Sequence, residues 1–249
     1  MEKDGSIKRI IISKEGRKFY VKDLSQDYHT QFGFIRKEEL SREDGSEVVS
    51  NIGEKMRIIS PSFIDRYRKI RRAPQIIPLK DMAAIIAETG VNRDSLVVDA
   101  GTGSGALACF LANYAKKVVS YEIREDFFRV ASENVKLLGL SNIELKNKNV
   151  YDGIDEKDAD LITFDLPEPW LAVKSAEQAL KIGGFIVSYS PTIPQVMDFS
   201  AEMKKHPCFQ HIKTIEIIER QWEIEERKVR PKSQEIGHSG FLSFYRRIC

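Results

Sequence analysis

A glycine-rich turn is the part of this chain whose residue types and spacing most clearly imply chemistry. The run from Leu96 to Ala100 is apolar except for Asp99, and glycines follow at alternate positions, Gly101, Gly103 and Gly105. This pattern predicts a buried parallel strand, a tight turn, and then a helix whose N-terminal amides face a ligand. Glycines let the backbone approach that ligand closely. The turn therefore indicates a nucleotide-like cofactor.

Two classes of cofactor are compatible with this turn. Gly101, Gly103 and Ala106 satisfy the loose dinucleotide pattern, and Glu122 follows about 20 residues later, near the usual ribose-binding acid. The tight alternation of all three glycines after an acidic residue instead resembles the first motif of S-adenosylmethionine (SAM)-dependent methyltransferases. The turn alone favours a methyltransferase but leaves a nicotinamide oxidoreductase open.

Acidic residues recur at or near the carboxyl ends of the predicted strands, the edge where parallel sheets bind ligands. We predict that Glu122 binds both ribose hydroxyls of a nucleoside and that Asp152 accepts from an adenine amino group. Asp99 is expected to lie behind the glycine turn and hold its backbone amides. A single acid at such a position is more often a helix cap or turn former. Four in register, with Asp165 as the fourth, favour a ligand site.

The segment after the fourth predicted strand distinguishes the two cofactor classes. It reads Asp165-Leu166-Pro167-Glu168-Pro169-Trp170, and its prolines make a stiff loop. Such a loop can hold a flipped planar base while Asp165 accepts a hydrogen bond from the amino group of that base. Methylation of a base nitrogen needs this arrangement, whereas a nicotinamide enzyme does not. The segment therefore favours a base methyltransferase.

The elements that position these residues fall into two predicted domains. Residues 1–62 contain short β-rich runs between polar turns, which predict a small antiparallel β domain. A basic linker over 63–74 begins the second domain, 63–249, in which helices and strands alternate from Lys80 onwards. This alternation predicts an α/β fold of the doubly wound, Rossmann-like type. Two longer strands, His211–Ile218 and Phe241–Ile248, are expected to close the sheet as an antiparallel pair.

Composition restricts the possible classes further. The 249 residues are 42% hydrophobic and 31% charged, which is typical of a globular protein. No apolar run is long enough to span a membrane, and the N-terminus lacks a signal-peptide pattern, so we expect a cytoplasmic protein. Cys109, Cys208 and Cys249 are expected to be reduced thiols, Cys109 as a core residue. The four histidines lack the spacing of metal ligands, so no metal is expected.

Two basic runs indicate a nucleic-acid partner, although the net charge of +2 is too small to do so. The segment 66–72 contains five cations in seven residues, and a second run covers 227–232. Either run alone is more often a solvated face. Together, on both sides of a cofactor domain, they predict phosphate contacts that orient a nucleic-acid substrate.

At this point the sequence resembles a known family. Asp165–Trp170 is similar to the Asp-x-Pro-x-Pro-Trp motif of the TrmI-type tRNA (adenine-N1)-methyltransferases. Further similar segments occur in the same order: Gln75-Ile76-Ile77 with Lys80-Asp81, Ala100–Leu107, Ser120–Arg124, Tyr189-Ser190-Pro191 with Gln195, Arg220-Gln221-Trp222, Arg230-Pro231 and His238–Leu242. The resemblance extends from about residue 75 to about residue 245.

The resemblance implies a class I SAM-dependent methyltransferase that modifies N1 of adenosine 58 in the tRNA T-loop, generally as a homotetramer with a small N-terminal β domain. The implied cofactor-binding residues are Gly101, Gly103, Ser104, Gly105, Ala106, Leu107, Glu122, Asp152 and Asp165. Asp165 and Tyr189 are the expected catalytic residues. The expected RNA-binding residues are Arg71, Arg72, Arg220, Arg230 and His238.

One departure from the family shapes these expectations. Pro78-Leu79 stand where the family usually has Tyr-Pro, so no role of that tyrosine carries over, and Tyr189 becomes the candidate aromatic residue stacked on the base. An exocyclic N6-methyltransferase is a rival, but its acid-Pro-Pro-aromatic motif lacks the spacing created by Leu166 and Glu168. A non-catalytic RNA-binding subunit is a further rival, against which the intact glycine turn argues.

Overall fold

The computed structural model describes residues 5–72, 76–233 and 237–249. The chain divides into two compact units. The first unit extends to Ile70 and includes Leu137–Gly139. The second comprises Arg71–Lys136 and Leu140–Cys249.

The N-terminal unit is built on a four-stranded antiparallel sheet, whose strands lie side by side in the order Lys18–Val21, Arg9–Ser13, Lys55–Ile59 and Glu47–Val49. Apolar side chains that alternate along these strands, such as Met56 and Ile58, point into a small core with Ile11, Val21 and Leu40. This unit is the small β domain that the sequence predicts. Its elements are β1 (Arg9–Ser13), β2 (Lys18–Val21), the hairpin of β3 (Tyr28–Thr30) and β4 (Gly33–Ile35), a 3-10 turn (Lys37–Ser41), β5 (Glu47–Val49), β6 (Lys55–Ile59) and α1 (Phe63–Tyr67).

The start of the basic segment lies with this unit. Ser62 and Asp65 form a reciprocal cap at the start of α1, and Lys18 pairs with Asp65 at 3.4 Å. The ammonium of Lys69 lies 4.0 Å from the centre of the Tyr20 ring. The sequence predicts a boundary after residue 62, whereas these contacts attach residues 63–70 to the β-sheet, and the N-terminal unit extends to Ile70.

A seven-stranded sheet organises the second unit, in the order Phe209–Glu216, Phe241–Arg247, Leu180–Ser190, Ala159–Phe164, Leu96–Ala100, Lys117–Tyr121 and Ile143–Lys146. Its strands are β7 (Leu96–Ala100), β8 (Lys117–Tyr121), β9 (Ile143–Lys146), β10 (Ala159–Phe164), β11 (Leu180–Ser190), β12 (Phe209–Glu216) and β15 (Phe241–Arg247). The helices are α2 (Leu79–Thr89), α3 (Ala106–Ala112), α4 (Glu125–Leu138), α5 (Val173–Ala179) and α6 (Ile193–Met203), and a separate hairpin is formed by β13 (Trp222–Glu225) and β14 (Lys228–Pro231).

The strand order explains where a ligand can bind. β7 pairs in parallel with β8 on one side and with β10 on the other, so the direction of winding reverses beside β7. In doubly wound sheets the crevice at such a reversal binds the ligand. β15 pairs antiparallel with both β11 and β12, which confirms the expected antiparallel closure of the sheet. The Rossmann-like prediction is therefore confirmed.

No helix among the described residues is long and apolar enough to cross a membrane.

Two of the three cysteines are joined, and the expectation that all are reduced thiols is wrong for this pair. Cys208 and Cys249 form a disulfide with their Cα atoms 4.9 Å apart. The pairing of β12 with β15 brings them together, because the Ile248 amide donates to the Cys208 carbonyl at 2.8 Å. Cys109 is a free, fully buried core residue as predicted, and burial raises the pKa of its thiol to about 12.

Reduction of this disulfide should destabilise the fold. The bond closes a loop across a sequence separation of 41 residues, and such bonds typically contribute about 2–4 kcal/mol. We expect dithiothreitol to lower the Tm of the wild type by roughly 5–15 °C and to leave a Cys208→Ser variant unaffected. Thiol titration of the denatured, non-reduced protein should find one free thiol. Three free thiols there would contradict the bond.

Candidate active site

A cavity of about 590 Å³ opens beyond the carboxyl ends of the central strands. This volume lies in the range of small-molecule sites. Its walls come from the turns after β7, β8, β9 and β10. They comprise Gly101, Gly103, Tyr121, Glu122, Ile123, Arg124, Phe127, Lys148, Asn149, Val150, Tyr151, Asp165, Leu166 and Pro167. The cavity therefore lies where the strand order predicts a ligand.

Gly101 permits a contact between two backbone segments that no other residue type would allow. Its φ is +92°, and a Cβ there would lie 2.0 Å from the Asp165 carbonyl oxygen. The Gly101 amide donates to the Tyr121 carbonyl at 3.1 Å, and the Asp165 amide donates to the Ala100 carbonyl at 2.9 Å. The ends of β7, β8 and β10 are thus joined at one point.

The other two glycines of the turn serve different purposes. Gly103, with φ +53°, has open space where a Cβ would stand and lines the cavity. Gly105 lies against α4, because a Cβ there would approach Ala131 Cβ to 3.1 Å. Of the predicted cofactor residues, Gly101, Gly103, Glu122 and Asp165 line the cavity. Ser104, Gly105, Ala106 and Leu107 lie behind it at the start of α3, and Asp152 is exposed outside the lining.

The Glu122 carboxylate is fixed at the cavity wall. One oxygen accepts from the Gly103 amide and the other from the Arg124 amide, both at 2.8 Å. Since a carboxylate has about four acceptor positions, two remain for a ligand. This geometry suits the predicted contact with a pair of ribose hydroxyls, which stays a prediction.

Asp99 is held differently from what the sequence suggested. Its carboxylate accepts from the Ser120 hydroxyl at 2.6 Å and from the Thr163 hydroxyl at 2.7 Å, which belong to the two neighbouring strands. It reaches the glycine turn only indirectly, since Ser120 also bonds Thr102 at 2.6 Å. Burial, the largest cause, raises the pKa of Asp99, and the nearby Glu122 charge adds to the effect.

A second, smaller cavity of about 240 Å³ adjoins Asp165 on its other side. Its walls are Ile76, Ile77, Pro78, Asp165, Tyr189, Pro191 and Ser239. Asp165 is the residue that lines both cavities. Two ligands that occupied them would therefore meet at this carboxyl group.

The electrostatics of Asp165 differ from those of an ordinary surface carboxylate. Burial and, to a smaller extent, the charge of Asp99 raise its pKa to about 7. Among the described residues, none donates a hydrogen bond to its carboxylate. A carboxylate without a partner among the described residues is available to a donor on a ligand.

Tyr189, the other predicted catalytic residue, forms a wall of the second cavity. Its side chain is nearly buried, and its hydroxyl donates to the Ser239 carbonyl at 2.5 Å. Burial raises its pKa to about 12, so the phenol stays protonated and neutral. Tyr189 therefore presents an uncharged ring beside Asp165.

The predicted RNA-binding residues are exposed, but several are engaged within the protein. Arg71 and Arg72 follow the N-terminal unit, and the backbone of Arg71 is held by the Asn134 side chain at 2.8–2.9 Å. Arg230 pairs with Glu223 in the β13–β14 hairpin. His238 faces Glu216 at 2.5 Å and the Pro191 carbonyl at 2.8 Å, and both contacts raise its pKa. Arg220 is exposed after β12.

Several cavity residues were missed from the sequence. Ile123 is 64% exposed although it is large and apolar, and Phe127 carries the Arg124 guanidinium 3.9 Å from its ring centre. Tyr151, Leu166 and Pro167 complete the apolar part of the wall. The available clue was the apolar residue directly after Glu122, where a polar turn residue would be usual.

The described ranges contain no group of three or more His, Cys, Asp or Glu side chains that could hold a metal ion.

Comparison with known proteins supports one family. The model of the tRNA methyltransferase complex GCD14 subunit matches residues 69–240. The chain is 34% identical to the tRNA (adenine(57)-N1/adenine(58)-N1)-methyltransferase TrmI of Methanocaldococcus jannaschii, over 96% of this chain and 94% of the relative. It is 30% identical to the tRNA (adenine(58)-N1)-methyltransferase TrmI of Thermus thermophilus, over 82% and 81%.

Solved structures agree with this assignment. A SAM-dependent O-methyltransferase from Thermotoga maritima superposes with a TM-score of 0.86 at 28% identity, covering 99% of this chain and 94% of that one. The tRNA (m1A58) methyltransferase TrmI from Aquifex aeolicus gives 0.81 at 25% identity, covering 99% and 98%. The TrmI-type resemblance and the methyltransferase fold are both confirmed.

The contact at Gly101 can be tested with a matched pair of glycines. Gly90, the C-cap of α2, also has a positive φ, +69°, but nothing lies within 4 Å of its Cβ position. We expect Gly90→Ala to cost about 1 kcal/mol and to keep SAM affinity within about threefold. Gly101→Ala should lower SAM affinity more than tenfold by calorimetry, because the Asp165 backbone must move. Equal affinities of the two variants would contradict this role.

Proposed function

Since the chain belongs to the tRNA methyltransferase GCD14 family, we propose that it transfers the methyl group of SAM to N1 of adenosine 58 in the tRNA T-loop. The observation that carries the proposal is the position of Asp165 between two cavities. The larger one offers the features of a cofactor site, and the smaller one offers an aromatic ring and a free acceptor. A base and a cofactor placed in them would meet beside this carboxylate.

The residues of the larger cavity fit SAM. Gly103 leaves the backbone bare beside the cavity, and Glu122 is oriented to accept from ribose hydroxyls. Ile123 and Phe127 supply apolar surface for a purine ring. Asp152 lies outside the lining but directly follows the cavity residue Tyr151, and we propose that it accepts from the adenine amino group, as the sequence suggested. When bound, SAM supplies an electrophilic methyl group on a sulfonium that leaves as a neutral thioether.

Asp165 supports the attack of N1 in two ways. Its carboxylate accepts a hydrogen bond from the adenine N6 amino group, which orients the base and increases electron density at N1. As N1 forms its bond to the methyl carbon, the adenine ring becomes cationic, and the adjacent negative charge stabilises it. The smaller cavity holds the flipped base against the Tyr189 ring and the apolar wall of Ile77 and Pro78.

We also propose a cytoplasmic location, because the tRNA substrate is found there. The exposed cations assigned to tRNA phosphates are Arg71, Arg72, Arg220, Arg230 and His238. Phosphate contacts of this kind fix the register of the RNA and weaken with salt.

The proposed reaction is tested by incubating unmodified tRNA with the protein and isotopically labelled SAM, followed by nucleoside mass spectrometry. We expect labelled 1-methyladenosine that maps to position 58. The relative from Methanocaldococcus jannaschii is named for positions 57 and 58, so both positions are mapped. Labelled N6-methyladenosine, or no methylation of tRNA despite SAM binding, would overturn the proposal.

The role of Asp165 predicts a pH dependence. Only the ionised carboxyl carries the negative charge that strengthens the hydrogen bond from the N6 amino group and stabilises the cationic ring, and its pKa is raised to about 7. The kcat/KM at low SAM and tRNA concentrations should therefore rise about tenfold from pH 6 to pH 8. Asp165→Asn should lower kcat at least 100-fold, abolish this rise and change SAM affinity only a few fold.

Stability provides the control for this variant. The pKa of Asp165 is raised above its value in the unfolded chain, so ionisation of the carboxyl destabilises the folded state increasingly as the pH rises from about 4 to about 7. Asp165→Asn removes this cost and should have a Tm at pH 8 at least as high as the wild type. Unchanged turnover in the variant would contradict the assignment.

The β13–β14 hairpin supports a homo-oligomer, which we propose to be a tetramer. Trp222 pairs with Pro231 and Ile224 with Val229, so these four side chains share one apolar face. Trp222, Ile224 and Val229 are 52%, 72% and 56% exposed in the single chain. A lone two-stranded hairpin is marginally stable in water, and an exposed apolar face of this kind is typical of an interface. A second copy of the chain is the proposed cover.

Substitution on the two faces of the hairpin should give different results. Trp222→Ser with Ile224→Ser removes the apolar face, and we expect sedimentation velocity to show loss of the tetramer to smaller species. Glu225→Ser on the opposite, charged face should leave the sedimentation coefficient unchanged. A wild type that sediments as a monomer, or a double variant that stays tetrameric, would contradict the proposed interface.

A further inference from the structure

A buried ion pair lies beside the second cavity but lines neither cavity. Lys80 and Asp81 stand in the first turn of α2, with Lys80 Nζ 2.8 Å from Asp81 Oδ1. Asp81 is 1% exposed, and the side chain of Lys80 is 13% exposed. Burying two charges costs desolvation energy, which their attraction offsets only with excellent geometry and further hydrogen bonds. The partners that supply those hydrogen bonds therefore define what the pair does.

Ser239 is the third member of this cluster. Lys80 Nζ donates to the Ser239 hydroxyl at 2.7 Å, and that hydroxyl donates to Asp81 Oδ2 at 2.9 Å. The ammonium also donates to both oxygens of Asp81, so each of its three donors has a partner. The ion pair thus holds the segment around Ser239, which lies 158 residues further along the chain than Asp81.

The held segment determines the position of the Tyr189 ring. The Ser239 carbonyl accepts from the Tyr189 hydroxyl at 2.5 Å. The next residue, Gly240, has no side chain, and a Cβ there would lie 2.5 Å from Tyr189 Cζ. The ring is therefore held at its tip by a hydrogen bond, and the missing Cβ of Gly240 leaves room for the hydroxyl end of the ring.

We propose that Lys80 and Asp81 are positioning residues that act through Ser239 to set the Tyr189 ring against the substrate base. This inference rests on the proposed function, because it takes the second cavity as the site of the base. Neither charged side chain touches that cavity, so both act on tRNA turnover and leave the SAM site unchanged.

The first test compares kinetics of single variants. Ser239→Ala removes the hydroxyl but keeps the carbonyl, and Asp81→Asn removes the carboxylate charge that pairs with Lys80. We expect each to lower kcat for tRNA about tenfold with the Kd for SAM within about twofold, and Ser239→Thr to restore the rate. Glu88→Gln is the matched control. Glu88 lies on the same helix, and its carboxylate is 2.6 Å from Lys213 Nζ, but neither residue lines the cavity. A similar loss in the control, or no loss in Ser239→Ala, would overturn the proposal.

The second test measures coupling to Tyr189. If the cluster acts through the phenol hydroxyl, Tyr189→Phe removes the route by which Ser239→Ala has its effect. The double variant should then be no more than about twofold slower than Tyr189→Phe alone. A double variant about tenfold slower than Tyr189→Phe alone would show that the two residues act independently and would overturn the proposal.

The third test does not depend on methyl transfer. In protein labelled with 3-fluorotyrosine, the ¹⁹F resonance of Tyr189 is identified by its absence in Tyr189→Phe. We expect this resonance to shift or broaden in Ser239→Ala and Asp81→Asn but not in Glu88→Gln. An unchanged resonance would overturn the positioning role. If the variants show the expected shifts but the wild-type protein methylates no tRNA, the proposed function is contradicted and the positioning role is not.

Discussion

The site depends on one close approach of two backbone segments, at Gly101 and Asp165. The missing Cβ lets the Asp165 carbonyl occupy a place 2.0 Å from where a side chain would begin. Because Asp165 is also tied to Ala100, the ends of two parallel strands cannot separate without breaking the sheet. This one contact therefore positions both the floor of the larger cavity and the Asp165 carboxyl group at the border with the smaller cavity.

The two aspartates near this contact show how the same residue type is given different tasks. Asp99 receives two hydroxyl hydrogen bonds from neighbouring strands, so its acceptor capacity is largely used within the protein. Asp165 is only half-buried, and its carboxylate receives no hydrogen bond from the described residues. Loss of solvation around this carboxyl group lowers the stability of the folded protein when the group is ionised. Such a cost is common for a group that is kept ready for a ligand. The hydrogen-bond partners of each carboxylate therefore distinguish the structural acid from the functional one.

Local spacing predicted much of the fold and of the site. The glycine turn and the stiff loop after Asp165 are each encoded within about ten residues, and the alternation of helices and strands follows from the pattern of each short segment. Features that depend on strand register were not accessible in this way. The Cys208–Cys249 bond and the hydroxyl partners of Asp99 arise between strands distant in sequence. Likewise, the attachment of residues 63–70 to the N-terminal sheet depends on contacts with Lys18 and Tyr20 that no local pattern shows.

The disulfide has a consequence for the integrity of the chain. It joins the residue before β12 to the C-terminus, so the β13–β14 hairpin lies inside a covalently closed ring. A protease that nicks the exposed tip of this hairpin opens the ring but releases no fragment. The nicked molecule keeps its mass on a non-reducing gel and separates into two pieces only after reduction. Damage at the most exposed part of the second unit thus leaves the strand that carries Phe241–Arg247 tethered in its place in the sheet.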